Sequence, residues 1–249
     1  MMNWTGNRGG AGSAHSFVTW AHKMPFAQVL EYAMPGRGTR GKEPCLEICH
    51  LHASTLASEL AALYKQDGLP LVMFGFSFAA IVAFETALAL QDVHSCPPVA
   101  LFVASAEPPQ WNGRGGRTKD MSMNSFEDML RAKGGTDVIL NDEAMKAMYM
   151  PVIRSDMLME ESYTYSGGVL SSTAIVAFHG ERANAVSGAT AAGWMHVTKV
   201  GEPHSRVVAL RTELEPSPQA KWLDDWYLCQ DKGTAATMAE AIAMLLHLA

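Results

Sequence analysis

Apolar positions recur along the chain in two spacings. Between Leu51 and Lys65, Leu56, Leu60 and Leu63 lie three and four residues apart, which predicts a helix ended by Asp67-Gly68. Pro70–Phe74, Val99–Ala104 and Thr173–Phe178 are short unbroken apolar runs. Pro108-Pro109 closes the second and Gly180 the third, and runs of this kind predict strands buried on both faces. Phe26–Met34, ended by Pro35-Gly36, predicts a further strand. Ala79–Leu90, rich in Ala and Leu, predicts a helix, and Thr234–Leu248 a closing amphipathic one. Strands alternating with helices predict an α/β fold, a mostly parallel sheet with helices on both faces, in a single domain over residues 1–249.

An insertion separates the second buried run from the third, over about residues 111–172. It opens with the loop Asn112–Arg117 and then predicts short helices. Eight of the chain's 16 methionines fall in it: Met121, Met123, Met129, Met145, Met148, Met150, Met157 and Met159. Methionine fills irregular apolar space, so packing among short helices accounts for them; a lid over a ligand channel is the more specific alternative.

The segment Leu69–Leu90 is long enough for a membrane span and carries one charge, Glu85. Gly75-Phe76-Ser77 interrupts it, and a buried strand, a sharp turn and a buried helix explain the same residues. Composition narrows the classes further. The chain has 249 residues, of which 48% are apolar, enough for one sizeable core. A net charge of −6 argues against general nucleic-acid binding, which needs a basic face. Cys45, Cys49, Cys96 and Cys229 are too scattered for a disulfide framework. The polar stretch Asn3–Ser13 lacks the pattern of a secretory leader, so a cytoplasmic setting is expected.

The candidate chemistry centres on Gly75-Phe76-Ser77-Phe78-Ala79, which lies between a predicted buried strand and a predicted helix. A nucleophilic serine needs this placement. The tight turn lifts its hydroxyl out of the sheet, and the helix N-terminus stabilises negative charge beside it. A serine that merely caps a buried helix is the plainer alternative. An oxyanion hole would use the backbone N–H of Phe78 and a second donor from a loop after another strand, for which Gly9–Ser13, with Gly10 as donor, is suited.

Other patterns carry less. Gly36-x-Gly38-x-x-Gly41 fits a dinucleotide fingerprint, but Pro44 interrupts the helix that should come after it. Cys45, Cys49, His50 and His52 suggest a metal cluster, yet on a helix the histidines point away from the cysteines' face. Neither a cofactor nor a metal is expected. Arg114, Arg117 and Lys119 form a small basic loop suited to an acidic partner, or simply a solvated one.

Several segments, in order, resemble the type II thioesterases of polyketide and non-ribosomal peptide assembly lines. They are Gly10–Ala14 with Phe17 and Trp20, and Pro35-Gly36-Arg37-Gly38-Thr39-Arg40 with Glu43-Pro44. The approach Leu69-Pro70-Leu71 to Ser77 comes next. Gly134–Thr136, Leu140, Asp142-Glu143, Pro151, Arg154, Asp156, Tyr163 and Tyr165 are similar to the family's lid region, and Ala177-Phe178-x-Gly180 to the end of its sixth strand. The resemblance implies the α/β-hydrolase fold, with the insertion as a lid over an acyl channel. It also implies hydrolysis of acyl thioesters on the phosphopantetheine arm of an acyl or peptidyl carrier protein. Ser77 would be acylated and then released by water, with a histidine as base and an acid orienting it.

The catalytic set departs from the family's. Gly9 and Phe76 stand where the family has histidines, Ala79 where it has the elbow's second glycine, and Arg182 where it has the acid. Glu181, one residue earlier, and Glu107, past the preceding strand, are the candidate acids. Two alignments compete for the base. In one, Val197–Val200 is the last strand and His204 the base. In the other, Ser205–Arg211 is the last strand and Asp225 stands at the base position, leaving Ser77 without an imidazole. A thioesterase-like scaffold that binds acyl or carrier groups without turnover is the second expectation.

Overall fold

The computed structural model describes residues 2–3, 22, 24–134, 136–181, 186–210 and 232–246. Among the described residues, five strands form one parallel sheet in the order β1-β2-β3-β4-β5. They are β1 (Met2–Asn3), β2 (Val72–Phe76), β3 (Ala100–Ala104), β4 (Ala174–Gly180) and β5 (Arg206–Leu210). The helices are α1 (Cys49–Asp67), α2 (Ala79–Asp92), α3 (Met123–Lys133), α4 (Asp137–Leu140), α5 (Glu143–Ser162), α6 (Gly188–Ala192) and α7 (Lys232–Leu245).

The period-two alternation of strands sorts the apolar runs onto two faces. Phe74, Phe76, Phe102, Val176 and Phe178 face a cluster closed by Met238, Ala241 and Ile242 of α7. Met73, Leu101, Val103, Ile175 and Ala177 face the opposite cluster, built with α1 and α2. Both faces are therefore covered, which is why these strands read as unbroken apolar runs. Helix α2 is buried along nearly its whole length, so its apolar composition reflects a core position. No described helix is long and apolar enough to cross a membrane. Helix α1 ends at Gly68, whose φ of 64° takes the left-handed turn that the N–H to Tyr64 carbonyl bond requires.

Phe26–Met34, expected as a strand, forms none. Ala27 and Val29 pack on the α7 face of the sheet, whereas Tyr32 and Met34 pack on the α1/α2 face. The segment passes from one apolar cluster to the other instead of lying in the ladder. The Gly36–Gly41 stretch forms a turn and a short 3-10 helix, Gly38–Arg40, and α1 starts only at Cys49. It therefore lacks the strand-to-helix junction a dinucleotide site needs.

The insertion is helical, as expected, and has a small core of its own: Phe126, Leu130, Ile139, Leu140, Met150, Ile153 and Met157. Met121, Met129 and Met145 pack against it. Most of the methionines thus fill gaps between short helices, while Met123 and Met148 are exposed. Helix α5 starts at Asp142, whose carboxylate accepts the N–H groups of Ala144 and Met145.

His52 of α1 is fully buried, edge-on to the Tyr32 ring at 5.4 Å, and neither ring nitrogen has a hydrogen-bond partner among the described residues. Burial, with the charges of Arg37 and Arg40, lowers its pKa from 6.5 to about 4. The folded chain therefore holds the neutral ring while the unfolded chain protonates first. The stabilisation from this site is full above about pH 6.5 and falls as pH drops from about 6.5 to about 4, by about 3 kcal/mol in total. Urea unfolding across that range is expected to show this loss, and His52→Leu to flatten it.

Candidate active site

Ser77 comes directly after the last residue of β2 and holds φ at 56°. Its N–H still donates to the Ala104 carbonyl at 2.9 Å, so the chain is anchored to β3 as it turns. Its carbonyl accepts the Ala80 N–H, which starts α2 immediately beyond. A left-handed non-glycine residue costs on the order of 1–2 kcal/mol. The turn persists because sheet and helix hold both ends. Gly75 makes it sterically feasible, since a Cβ there would lie 2.5–2.6 Å from the backbone of Ala79 and Ala80. Ser77 is half-buried at the C-terminal edge of the sheet, beside the N-terminus of a 14-residue helix.

The neighbouring strand repeats the device. Ser105 comes directly after β3 with φ at 47°, and its N–H donates to the Phe178 carbonyl. Its Oγ is buried without a hydrogen-bond partner among the described residues. Glu107 lies two residues on, half-buried, and lines a cavity of about 220 Å³ with Trp111, Arg114, Met157 and Glu160. Two side chains fix this loop. The indole N–H of fully buried Trp194 donates to the Ala106 carbonyl at 2.8 Å. The Arg114 guanidinium donates to the carbonyls of Glu107, Pro108, Pro109 and Trp111 at 2.7–3.2 Å. Burial lowers the Arg114 pKa, and Glu107 acts against that shift. Arg114 is thus a strut of the loop, and of the three basic residues only Arg117 and Lys119 are exposed.

Glu181, the other candidate acid, is exposed just past β4, its N–H donating to the Leu210 carbonyl. His204 is not brought to Ser77. Val197 ends a 3-10 helix, Gly193–Val197, and the last described strand is Arg206–Leu210. The register aligns Phe76, Ala104, Phe178 and Val208 in one row. His204 precedes Val208 by four residues and lies near the opposite edge of the sheet. That is about 13 Å along the strands and three strand spacings, about 14 Å, across. In a parallel sheet the loops at the C-terminal ends of the strands gather beside the elbow, and His204 lies in a loop at an N-terminal end. The expectation of His204 as base is corrected on this ground, and the last strand lies where the competing alignment has it. Gly10, Arg182 and Asp225 fall outside the described residues.

Among the described residues, no hydrogen bond reaches the Ser77 Oγ from an imidazole. His50 instead pairs with Glu85 at 3.2 Å. His179 approaches the Gly180 carbonyl through Nδ1. Cys49 is buried and its pKa raised by burial, and among the described residues no three His, Cys, Asp or Glu side chains gather as metal ligands would.

Glu85 and Tyr163 were not among the sequence candidates. Glu85 of α2 is 6% exposed and accepts the Tyr163 hydroxyl at 2.6 Å. Burial raises the pKa of both groups. The sequence did carry a signal: Glu85 is the lone charge in a long apolar segment, and a buried carboxylate requires partners.

A parallel sheet covered on both faces, with a serine on a strained strand-to-helix turn at its C-terminal edge, defines the α/β-hydrolase class. The family profile described as the thioesterase domain matches residues 9–211, and the chain belongs to that family. It is 28% identical over 190 residues to the gramicidin S biosynthesis protein GrsT of Aneurinibacillus migulanus, covering 76% of this chain and 73% of GrsT. It is 29% identical over 178 residues to the thioesterase PikA5 of Streptomyces venezuelae, covering 69% of this chain and 60% of PikA5. Among solved structures, YbtT, a type II thioesterase from the yersiniabactin NRPS/PKS pathway, superposes with a TM-score of 0.70 at 20% identity, covering 98% of this chain and 90% of that one.

Proposed function

We propose that this chain acts on acyl thioesters borne by the phosphopantetheine arm of an acyl or peptidyl carrier protein, with Ser77 as the residue that takes the acyl group. The observation that carries this reading is the Ser77 turn itself, a strained φ held at a helix N-terminus and at a strand end. In this reading the Ser77 oxygen attacks the thioester carbonyl, the carrier thiol leaves, and water then releases the acid. The Phe78 N–H stabilises the oxyanion, and Gly10 remains the second donor from the sequence. Glu107 is favoured over Glu181 as the acid, because it is half-buried on the loop of the adjacent strand while Glu181 is exposed. The competing alignment puts Asp225 at the base position, outside the described residues, and on it Ser77 has no imidazole. The insertion acts as the lid, and Arg117 and Lys119 face an acidic carrier.

A second reading, a thioesterase-like binding scaffold without turnover, is favoured by one specific observation: no described imidazole is hydrogen-bonded to Ser77. Hydrolysis of a short acyl N-acetylcysteamine thioester separates the two. The wild-type rate is expected to exceed that of Ser77→Ala by at least about 100-fold. Intact-mass measurement is expected to show an acyl adduct on the wild type alone. Equal rates with no adduct would leave the scaffold reading standing.

A further inference from the structure

Tyr163, the residue that ends the long helix α5 of the insertion, touches both halves of the proposed site. Its ring meets the Phe78 ring edge-on at 5.9 Å, immediately after Ser77. The Arg114 guanidinium, which holds the carbonyls of the Glu107 loop, lies over the same ring at 5.6 Å. Its hydroxyl is fixed by Glu85, two turns along α2 from the elbow, at 2.6 Å. His50 of α1 closes the arrangement, with Nδ1 at 3.2 Å from the second Glu85 oxygen and Nε2 at 3.2 Å from the Thr164 carbonyl.

A carboxylate this deeply buried costs several kcal/mol unless hydrogen-bonded, so Glu85 is not explained by packing alone. Leucine would suit that face of α2 better for stability. What Glu85 supplies is a fixed acceptor that sets the Tyr163 ring between the two loops.

Resting on the reading of Phe78 and Glu107 given above, we propose that Tyr163, locked by Glu85, is a positioning residue that sets the oxyanion-donor turn and the acid loop in mutual register. Its hydroxyl is bonded to Glu85 rather than to Ser77. Its effect is therefore expected on turnover rather than on substrate binding.

The test pairs kinetics with hydrogen exchange. Tyr163→Phe keeps the ring and removes the hydroxyl. It is expected to lower kcat about tenfold with KM within twofold, and to speed amide exchange about tenfold in the peptides covering residues 77–82 and 107–117. Glu85→Gln, which retains an acceptor, is expected to lose at most about threefold, whereas Glu85→Leu should match Tyr163→Phe. If Tyr163→Phe and Glu85→Leu fold and leave both peptides exchanging at the wild-type rate, the proposal is wrong. A wild-type rate equal to that of Ser77→Ala instead overturns the catalytic reading, and the exchange measurement still decides whether Tyr163 couples the two loops.

Discussion

Gly75→Ala is expected to destabilise the chain by about 3 kcal/mol or more, a large share of the roughly 5–15 kcal/mol typical of a domain. The added Cβ would sit 2.5 Å from the Ala79 carbonyl oxygen and the Ala80 Cα, and 2.6 Å from the Ala80 nitrogen. All three are backbone atoms, so no side chain can swing away. The backbone cannot yield cheaply either. Ser77 is bonded to Ala104 on one side, and α2 is buried along its length on the other. Gly115→Ala is the control, because a Cβ there meets nothing within 4 Å. Urea unfolding is expected to leave the Gly115 variant at the wild-type midpoint while the Gly75 variant unfolds far earlier or fails to accumulate. A Gly75→Ala midpoint equal to wild type would mean that the elbow is not packed as described.

Asp156→Ala is expected to cost about 3–5 kcal/mol, for an electrostatic reason. Asp156 is fully buried on α5 and accepts two hydrogen bonds from Arg37, at 2.9 and 2.5 Å. Arg37 lies in the Pro35–Arg40 turn, so the pair ties that turn to the insertion's longest helix. Removing the carboxylate takes two hydrogen bonds and the facing negative charge from a guanidinium whose side chain is 8% exposed. Replacing both partners together, Arg37→Met with Asp156→Leu, is expected to recover much of the loss, since it removes the buried positive charge as well as the pair. Equilibrium unfolding of the two singles and the double forms a cycle. If the double variant lost as much as the sum of the singles, the argument from coupling between the two charges would fail.

The elements legible from the residues alone were those with strong local signals. Leu56, Leu60 and Leu63 mark α1, and Gly68 its end. The unbroken runs at Met73, Leu101 and Ile175 mark strands buried on both faces. The turn at Ser77 was legible because Gly75, a short apolar run and an Ala-rich helix each demand it independently. Phe26–Met34 misled because an apolar stretch closed by Pro35-Gly36 is compatible with a strand but does not require pairing, and here its two halves pack into two separate clusters. His204 misled for a related reason. Val197–Val200 and Arg206–Leu210 are both short and apolar enough to be the last strand, and pairing with β4, a contact across distant sequence, selects the second.

Local chemistry in the chain determined where turns fall, which segments are apolar on both sides, and which serine stands at the sheet's edge. Those properties depend on neighbours a few residues away. Only the tertiary structure decided the partners of Glu85, the seat of Arg37, the register that carries His204 away from Ser77, and the strut that Arg114 makes beneath the Glu107 loop. Nearly all of these join residues tens of positions apart. Hydrophobic burial sets how much surface must be covered, but not which polar groups meet when it is.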